Sequence, residues 1–312
     1  MMNNRSFSRY GRNMYILKRV KTISFITVIV LAIIVSTLLI INIRTVSTNE
    51  KRELIRVWNI GEYELAHQIS KNALINNPLD YFFLTMNGFS SYQLGISQIN
   101  NQNTLSYIDE CIFSLRKAML LSGAKNDARL YYVLGKAYGY KGSEYSDLAI
   151  KYLSIADRMS YEANDIPEYL GLAYAASGDY RSSIEAFTKS FDKNSNPSDN
   201  LLLSIGRSYI AMEEYGLAMG YLRRCIESSP DSKSINIARL LLAEIYIQTS
   251  EYDNAEEQYL VILNEGGENA EVRFQLGELY NLKGDTTRAR SEWRIAYRQD
   301  PAHARARARL NI

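Results

Sequence analysis

The sequence predicts an all-α protein, a solenoid of about six to seven helix hairpins that follows one apolar helix near the N-terminus. Three observations predict this fold: paired apolar stripes at helical spacing, small residues that return every 34 to 45 positions, and an uncharged 21-residue segment. Of the 312 residues, 46% are hydrophobic and 22% are charged, as in ordinary folded proteins. The net charge of +2 offers no general attraction to nucleic acid, so no nucleic-acid partner is expected.

The clearest copy of the hairpin lies in residues 169–190. Leu170, Ala173 and Tyr174 form one apolar stripe, and Ile184 and Phe187 form a second after a break at residues 178–179. One such hairpin cannot bury its apolar face alone, so copies of it must stack.

The other copies are marked by small residues in both helices. In the second helices these residues are Ala66, Cys111, Ala149, Ser183, Ala218, Ala255 and Ala289, and in the first helices Gly88, Gly135, Gly171, Gly206, Ala243 and Gly277. A tyrosine follows most of the first-helix positions by three residues. The pattern resembles the tetratricopeptide repeat (TPR), in which W-x2-L-G-x2-Y and A-x3-F return about every 34 residues. The resemblance implies a right-handed TPR-like solenoid.

The N-terminal segment predicts a membrane anchor. Residues 1–21 form a basic tail with six Lys or Arg and no acid, and residues 22–43 are apolar and uncharged. Ile23–Ile43 would span about 31 Å as a helix, enough to cross a bilayer and longer than the apolar core of a cleaved signal peptide. The charge bias places the tail in the cytoplasm and the solenoid, residues 44–301, across the membrane. In a bacterium this is a single-pass inner-membrane protein with a periplasmic domain.

Two segments depart from the repeat. Residues 96–106 are a polar surplus in the second hairpin, and they fit either a surface loop or an extension of the flanking helices. Residues 302–312 form a short basic tail or cap after the last hairpin.

No pattern of catalytic or metal-binding residues is present. The two histidines have no second ligand at helical spacing, and no phosphate-binding loop, nucleophile elbow or zinc-protease motif occurs. The two cysteines stand about three repeats apart, at positions where the repeat has a small buried residue. We therefore predict no enzyme activity, no catalytic residue, no metal and no cofactor.

The TPR resemblance implies that the first helices line a groove for a protein or peptide. Mapped onto this sequence, the candidate groove residues that suit anchors are Phe89, Tyr92, Tyr132, Lys136, Tyr140, Leu203, Arg207 and Ile210. The positions that hold the Lys and Asn clamp of chaperone-binding TPR domains carry other residues here, such as Phe89, Leu172 and Glu244. A chaperone adaptor of that kind is therefore not expected.

The predicted function is a membrane-anchored scaffold or adaptor that mediates protein–protein interaction in the assembly of an envelope or membrane complex. The architecture resembles single-span TPR proteins of the bacterial inner membrane, such as the YfgM type, and TPR components of envelope machines are a related possibility. An alternative is a spacer whose Arg-rich C-terminal end, with Arg305, Arg307 and Arg309, binds an anionic surface.

Overall fold

The computed structural model describes residues 29, 31–37, 48–97, 101–193, 197–266 and 269–311. Every regular element in these residues is helical. The helices are residues 48–59 (α1), Tyr63–Asn76 (α2), Tyr81–Ser97 (α3), Asn101–Ala118 (α4), Ala128–Lys141 (α5), Ser146–Arg158 (α6), Ile166–Ala176 (α7), Tyr180–Lys193 (α8), Asp199–Ala211 (α9), Tyr215–Ser228 (α10), Ser232–Gln248 (α11), Tyr252–Gly266 (α12), Ala270–Leu282 (α13), Thr286–Gln299 (α14) and Ala304–Leu310 (α15). Short 3-10 turns cover Ser122–Asn126 and Ser143–Tyr145.

Helices α1 to α14 form seven consecutive hairpins in the described residues. The two helices of each hairpin pack together, and first helices also touch one another, α5 against α7, α7 against α9 and α9 against α11. The chain divides into two compact units, one up to Lys125 and the other from Asn126. The all-α repeat fold predicted from the small-residue spacing is therefore confirmed.

In five of the seven hairpins a large side chain of the second helix packs against the glycine of the first helix. The ring of Phe187 lies so near Gly171 that any Cβ there would overlap it. A Cβ on Gly135 would lie 2.5 Å from Leu153 Cγ, and one on Gly206 would lie 2.8 Å from Leu222 Cδ2. Each of these large residues stands four positions after the small residue of the second helix, so both lie on the same face of that helix. The same spacing therefore sets the helix packing in each of these hairpins.

Among the described residues, the turns of six of the seven hairpins contain one residue with positive φ. Gly178 takes this conformation between α7 and α8, with φ of 82°. Glu213 and Ser250 take it between the next two helix pairs, with φ of 60° and 62°, where a side chain makes the conformation costly. The glycine that marks the turn in the sequence is therefore not needed in every copy.

The polar surplus of the second hairpin lies mostly in helices. Helix α3 continues to Ser97 and α4 already begins at Asn101, while residues 98–100 lie outside the described part of the chain. The surplus thus extends the flanking helices, which was one of the two alternatives that the sequence left open.

The predicted membrane anchor lies mostly outside the described residues. Within residues 22–43 only 29 and 31–37 are described, and they are helical and exposed. Among the helices that the structure describes, none has both the length and the apolar character needed to cross a bilayer.

Candidate functional site

A half-open pocket of about 480 Å³ lies in the second unit, where α5, α7 and α9 run side by side. Four of the eight candidate groove residues line it, namely Lys136, Tyr140, Leu203 and Arg207. Its other principal lining residues are Glu168, Tyr169, Leu172, Asn200, Ser204 and Ile237. The repeat register brings these residues together, because equivalent positions on adjacent first helices share one face.

One row of the pocket consists of the residues that follow the helix-packing glycines. Lys136, Leu172 and Arg207 follow Gly135, Gly171 and Gly206 on α5, α7 and α9. Leu172 keeps 42% of its surface exposed between the two cations, and Arg207 is also exposed. The row therefore offers an apolar contact flanked by two positively charged side chains.

The first of these cations is satisfied by the protein itself. Lys136 Nζ lies 2.9 Å from Asp165 Oδ2 and 4.2 Å from the centre of the Tyr169 ring. It also donates to Tyr132 Oη at 2.9 Å, and the Tyr132 hydroxyl donates to Asp165 at 2.8 Å. Lys136 is therefore held charged, but Asp165 neutralises it.

The pKa values in this cluster follow from the same contacts. Burial alone would lower the pKa of Lys136, but hydrogen bonds with Tyr132 and Asp165 outweigh it and the pKa is raised. Burial raises the pKa of Tyr132 to about 12, and Asp165 contributes in the same direction. The hydroxyl of Tyr132 therefore stays protonated and acts as a hydrogen-bond donor.

The second cation, Arg207, differs from Lys136 in this respect. No ion pair among the described residues includes Arg207. A guanidinium binds carboxylate through two parallel hydrogen bonds, so Arg207 can receive an acidic group from outside the fold. At Glu168, burial first and the charge of Asp165 second raise the pKa, while Lys136 opposes them. Burial and the charge of Asp165 thus disfavour negative charge at Glu168, and a second carboxylate beside it would meet the same surroundings.

The remaining predicted groove residues lie elsewhere. Phe89 and Tyr92 belong to the first unit and are 8% and 4% exposed, so both are mainly packing residues there. Ile210 is half-buried against the core of the second unit, and Tyr132 is half-buried beside Lys136. Their contact with a partner stays a prediction.

The sequence interpretation missed two residues of the site, Asp165 and Ile237. They stand six positions before the small residues Gly171 and Ala243, as Asn200 does before Gly206. Extending the repeat register by one more turn in the fourth and sixth hairpins would have identified both. The structure uses Asp165 to hold Lys136, whereas Asn200 and Ile237 line the pocket.

The three C-terminal arginines lie on the short helix α15. Arg305 pairs with Glu271 and its guanidinium lies 4.8 Å from the centre of the Phe274 ring. Arg309 donates through Nε to Glu278 at 2.9 Å, while Arg307 is exposed. Two of the three charges are therefore paired within the fold.

In the described part of the chain, no three His, Cys, Asp or Glu side chains come close enough to hold a metal ion.

Stacked helix hairpins with a pocket on their first helices define a helical-repeat protein. A model of the tetratricopeptide repeat matches residues 200–232, which cover α9 from its second residue and all of α10. The second unit thus contains a tetratricopeptide repeat. No curated relative matches the sequence.

Solved TPR structures share the fold. The C-terminal part of a TPR repeat-containing protein from Cytophaga hutchinsonii is 16% identical, with a TM-score of 0.59, over 84% of this chain and 100% of that one. A tetratricopeptide repeat protein from Parabacteroides merdae is 17% identical, with a TM-score of 0.55, over 84% and 98%. PilF of Pseudomonas aeruginosa is 16% identical, with a TM-score of 0.52, over 72% and 96%. At these identities the likeness concerns the fold alone.

Proposed function

We propose that this protein is a membrane-anchored TPR scaffold that binds a protein or peptide segment in the pocket of α5, α7 and α9. The observation that carries the proposal is the exposed Arg207, which has no ion-pair partner among the described residues and stands beside the exposed Leu172. An unpaired guanidinium next to apolar surface is the combination that anchors a peptide.

The lining of the pocket defines the chemistry of the ligand. One carboxylate, from an acidic side chain or a chain terminus, pairs with Arg207, and an apolar side chain packs on Leu172 and Tyr140. The buried surroundings of Glu168 and the charge of Asp165 disfavour further negative charge, and Asp165 has already neutralised Lys136. The pocket therefore suits a mainly apolar segment with a single acidic group better than a run of acidic residues.

Residues 22–43 are the proposed anchor, with the N-terminus in the cytoplasm and the repeats on the far side of a bacterial inner membrane. The uncharged 21-residue run and the basic tail before it support this part of the proposal. A scaffold in that position would assemble an envelope or membrane complex. The alternative function, binding of an anionic surface by Arg305, Arg307 and Arg309, has less support because two of these side chains already pair with Glu271 and Glu278.

The pocket proposal is tested by crosslinking. A photo-reactive amino acid at Leu172 in the full chain, activated in native membranes, should capture the partner, which is then identified and its binding segment synthesised. We expect Arg207→Ala to weaken binding of that labelled segment at least about tenfold, since 1.4 kcal/mol corresponds to a factor of ten. Arg207→Lys should give an intermediate loss, because lysine keeps the charge without the two-pronged geometry.

The matched control changes Arg305, Arg307 and Arg309 to Ser and should leave the affinity nearly unchanged. If this triple variant loses binding while Arg207→Ala keeps it, the pocket proposal is wrong and the C-terminal surface is the binding site.

The orientation has its own test. A reporter that is active only in the cytoplasm, fused after Ile312, should be silent. The same reporter fused before Met1 should be active and serves as the control. Activity at the C-terminal fusion would place the repeats in the cytoplasm.

A further inference from the structure

One edge of the first unit, which we call the basal edge, consists of residues 48–51, 75–81 and 119–123. Two contacts join these segments. Lys51 Nζ lies 2.8 Å from Asp80 Oδ2, which fixes the start of α1 beside the turn between α2 and α3. Gly123 packs on the ring of Tyr81, where a Cβ would lie 2.9 Å from Tyr81 Cδ1. The first described residues after position 47 therefore share an edge with two interhelix turns.

The basal edge exposes three large aliphatic side chains. Ile75, Leu79 and Leu120 are 76%, 61% and 85% exposed. Each stands at the end of a helix or in the turn that follows it. Single exposed apolar residues are common on soluble proteins, but several on one small edge mark a contact surface.

The charges near this edge are mainly positive. Within the edge itself the charged residues are Glu50, Lys51 and Asp80, and Lys51 pairs with Asp80. The helical turns that adjoin the edge add Arg52, Lys71, Arg116 and Lys117, of which Lys71 also lies 3.4 Å from Glu110. The turn at the other end of the first hairpin, residues 59–64, contains two Glu and no Lys or Arg. The basal edge thus combines three exposed aliphatic side chains with cationic residues in the adjoining helical turns, whereas the opposite turn has two Glu and one exposed aliphatic side chain, Ile60.

We infer that the basal edge lies on the surface of the phospholipid bilayer and that Ile75, Leu79 and Leu120 insert at its interface. The inference rests on the proposed anchor at residues 22–43. Aliphatic side chains flanked by Lys and Arg are the combination by which proteins bind anionic lipid interfaces.

The short connection to the anchor supports this assignment. Five steps separate residue 43 from residue 48, so residue 48 lies within about 18 Å of the end of the span even when the chain is fully extended. Helix α1 rises about 18 Å along its own length, so the opposite turn can lie far above the bilayer when the basal edge touches it. The connection therefore limits how far the basal edge can lie from the bilayer, whereas the opposite turn can lie about one length of α1 farther away.

The experiment uses the full chain in nanodiscs of anionic phospholipid, with bimane attached to a single introduced cysteine. The test positions are Leu79→Cys and Leu120→Cys, and the control is Ile60→Cys in the opposite turn. Ile60 and Leu79 are matched in exposure at 62% and 61%. The native cysteines are buried and serve as the background in unsubstituted protein. Lipids brominated near the headgroup quench fluorophores at the interface.

We expect quenching several-fold stronger at positions 79 and 120 than at position 60. Equal quenching at all three positions, or protection of 79 and 120 by a bound protein instead of lipid, would overturn the inference. If alkaline treatment releases the full chain from native membranes, residues 22–43 do not anchor it. A chain that resists extraction but shows no difference between the labels defeats the basal-edge inference alone.

Discussion

Two regions of the second unit carry charged residues at the same repeat position and use them in opposite ways. Arg207 follows Gly206 on α9, and Glu278 follows Gly277 on α13. Glu278 is bound by Arg309, which α15 supplies from the same chain. Arg207 makes no ion pair among the described residues. In the last repeat the C-terminal helix thus pairs the charge at this position, whereas in the middle of the unit Arg207 is left without an ion pair among the described residues.

This difference separates charges that stabilise the fold from charges that are available for binding. Two sets of arginines look similar in the sequence, one in the groove and one in the tail. The fold pairs Arg305 and Arg309 with Glu271 and Glu278, so their attraction for an external anion is reduced. Arg207 is therefore a better candidate for contact with a partner than Arg305 or Arg309.

The largest expected effect comes from disrupting the packing of α7 on α8, because α7 lines the pocket. Gly171→Leu places a side chain against the ring of Phe187, where no space exists. Overpacking of this kind costs about 1–3 kcal/mol, so the urea midpoint of unfolding should fall and the pocket should be lost with it.

The matched control for this change is Gly139→Leu. Gly139 lines the same pocket, but a Cβ there meets nothing within 4 Å. We expect its stability to equal or exceed that of the wild type, because leucine favours the helix more than glycine does. Equal loss of stability in both variants would mean that the assigned packing of α7 on α8 is wrong.

Glu110 in the first unit is, like Glu278, a carboxylate that is paired within the fold. Glu110 Oε1 lies 3.0 Å from His67 Nε2, and this contact, helped by Asn87 and Lys71 at 3.4 Å, lowers the pKa of Glu110 to about 2. A carboxyl whose pKa is lower in the folded state stabilises fully above its ordinary pKa, and this contribution is lost as the pH falls towards 2.

Glu110→Gln should therefore destabilise the protein by about 1–2 kcal/mol at pH 7, after allowance for solvent screening. Urea unfolding at pH 7, 4 and 2.5 should show the difference between wild type and variant shrinking as the pH falls. A difference independent of pH would show that the carboxylate charge contributes nothing.

The smallest effect compares the two arginines directly. Arg309→Ala removes the pair with Glu278 and the contact with the Trp293 ring, and it should cost about 0.5–1 kcal/mol because both groups are partly exposed. Arg207→Ala removes no ion pair and should leave the melting temperature unchanged. A lower melting temperature for Arg207→Ala would show that its charge also serves the fold.

The sequence predicted more of the fold than of the site. The positions of Gly171, Ser183 and Phe187 already identified two helices that pack closely, because a repeated unit shows the same constraint in every copy. The site was predicted only in part: Lys136, Tyr140, Leu203 and Arg207 line the pocket, but Phe89 and Tyr92 are mainly buried in the first unit. Helical spacing alone does not show how deeply a side chain packs against the next repeat.

By itself the sequence determined the α-helical repeats, the positions of their close contacts and the apolar N-terminal segment, because each is a local or periodic pattern. Only the tertiary structure decided which charges are neutralised. Asp165 reaches Lys136 from 29 positions away, and Arg309 reaches Glu278 from 31. Such pairs depend on the rotation and spacing of helices that are distant in sequence, and no periodicity of the chain specifies them.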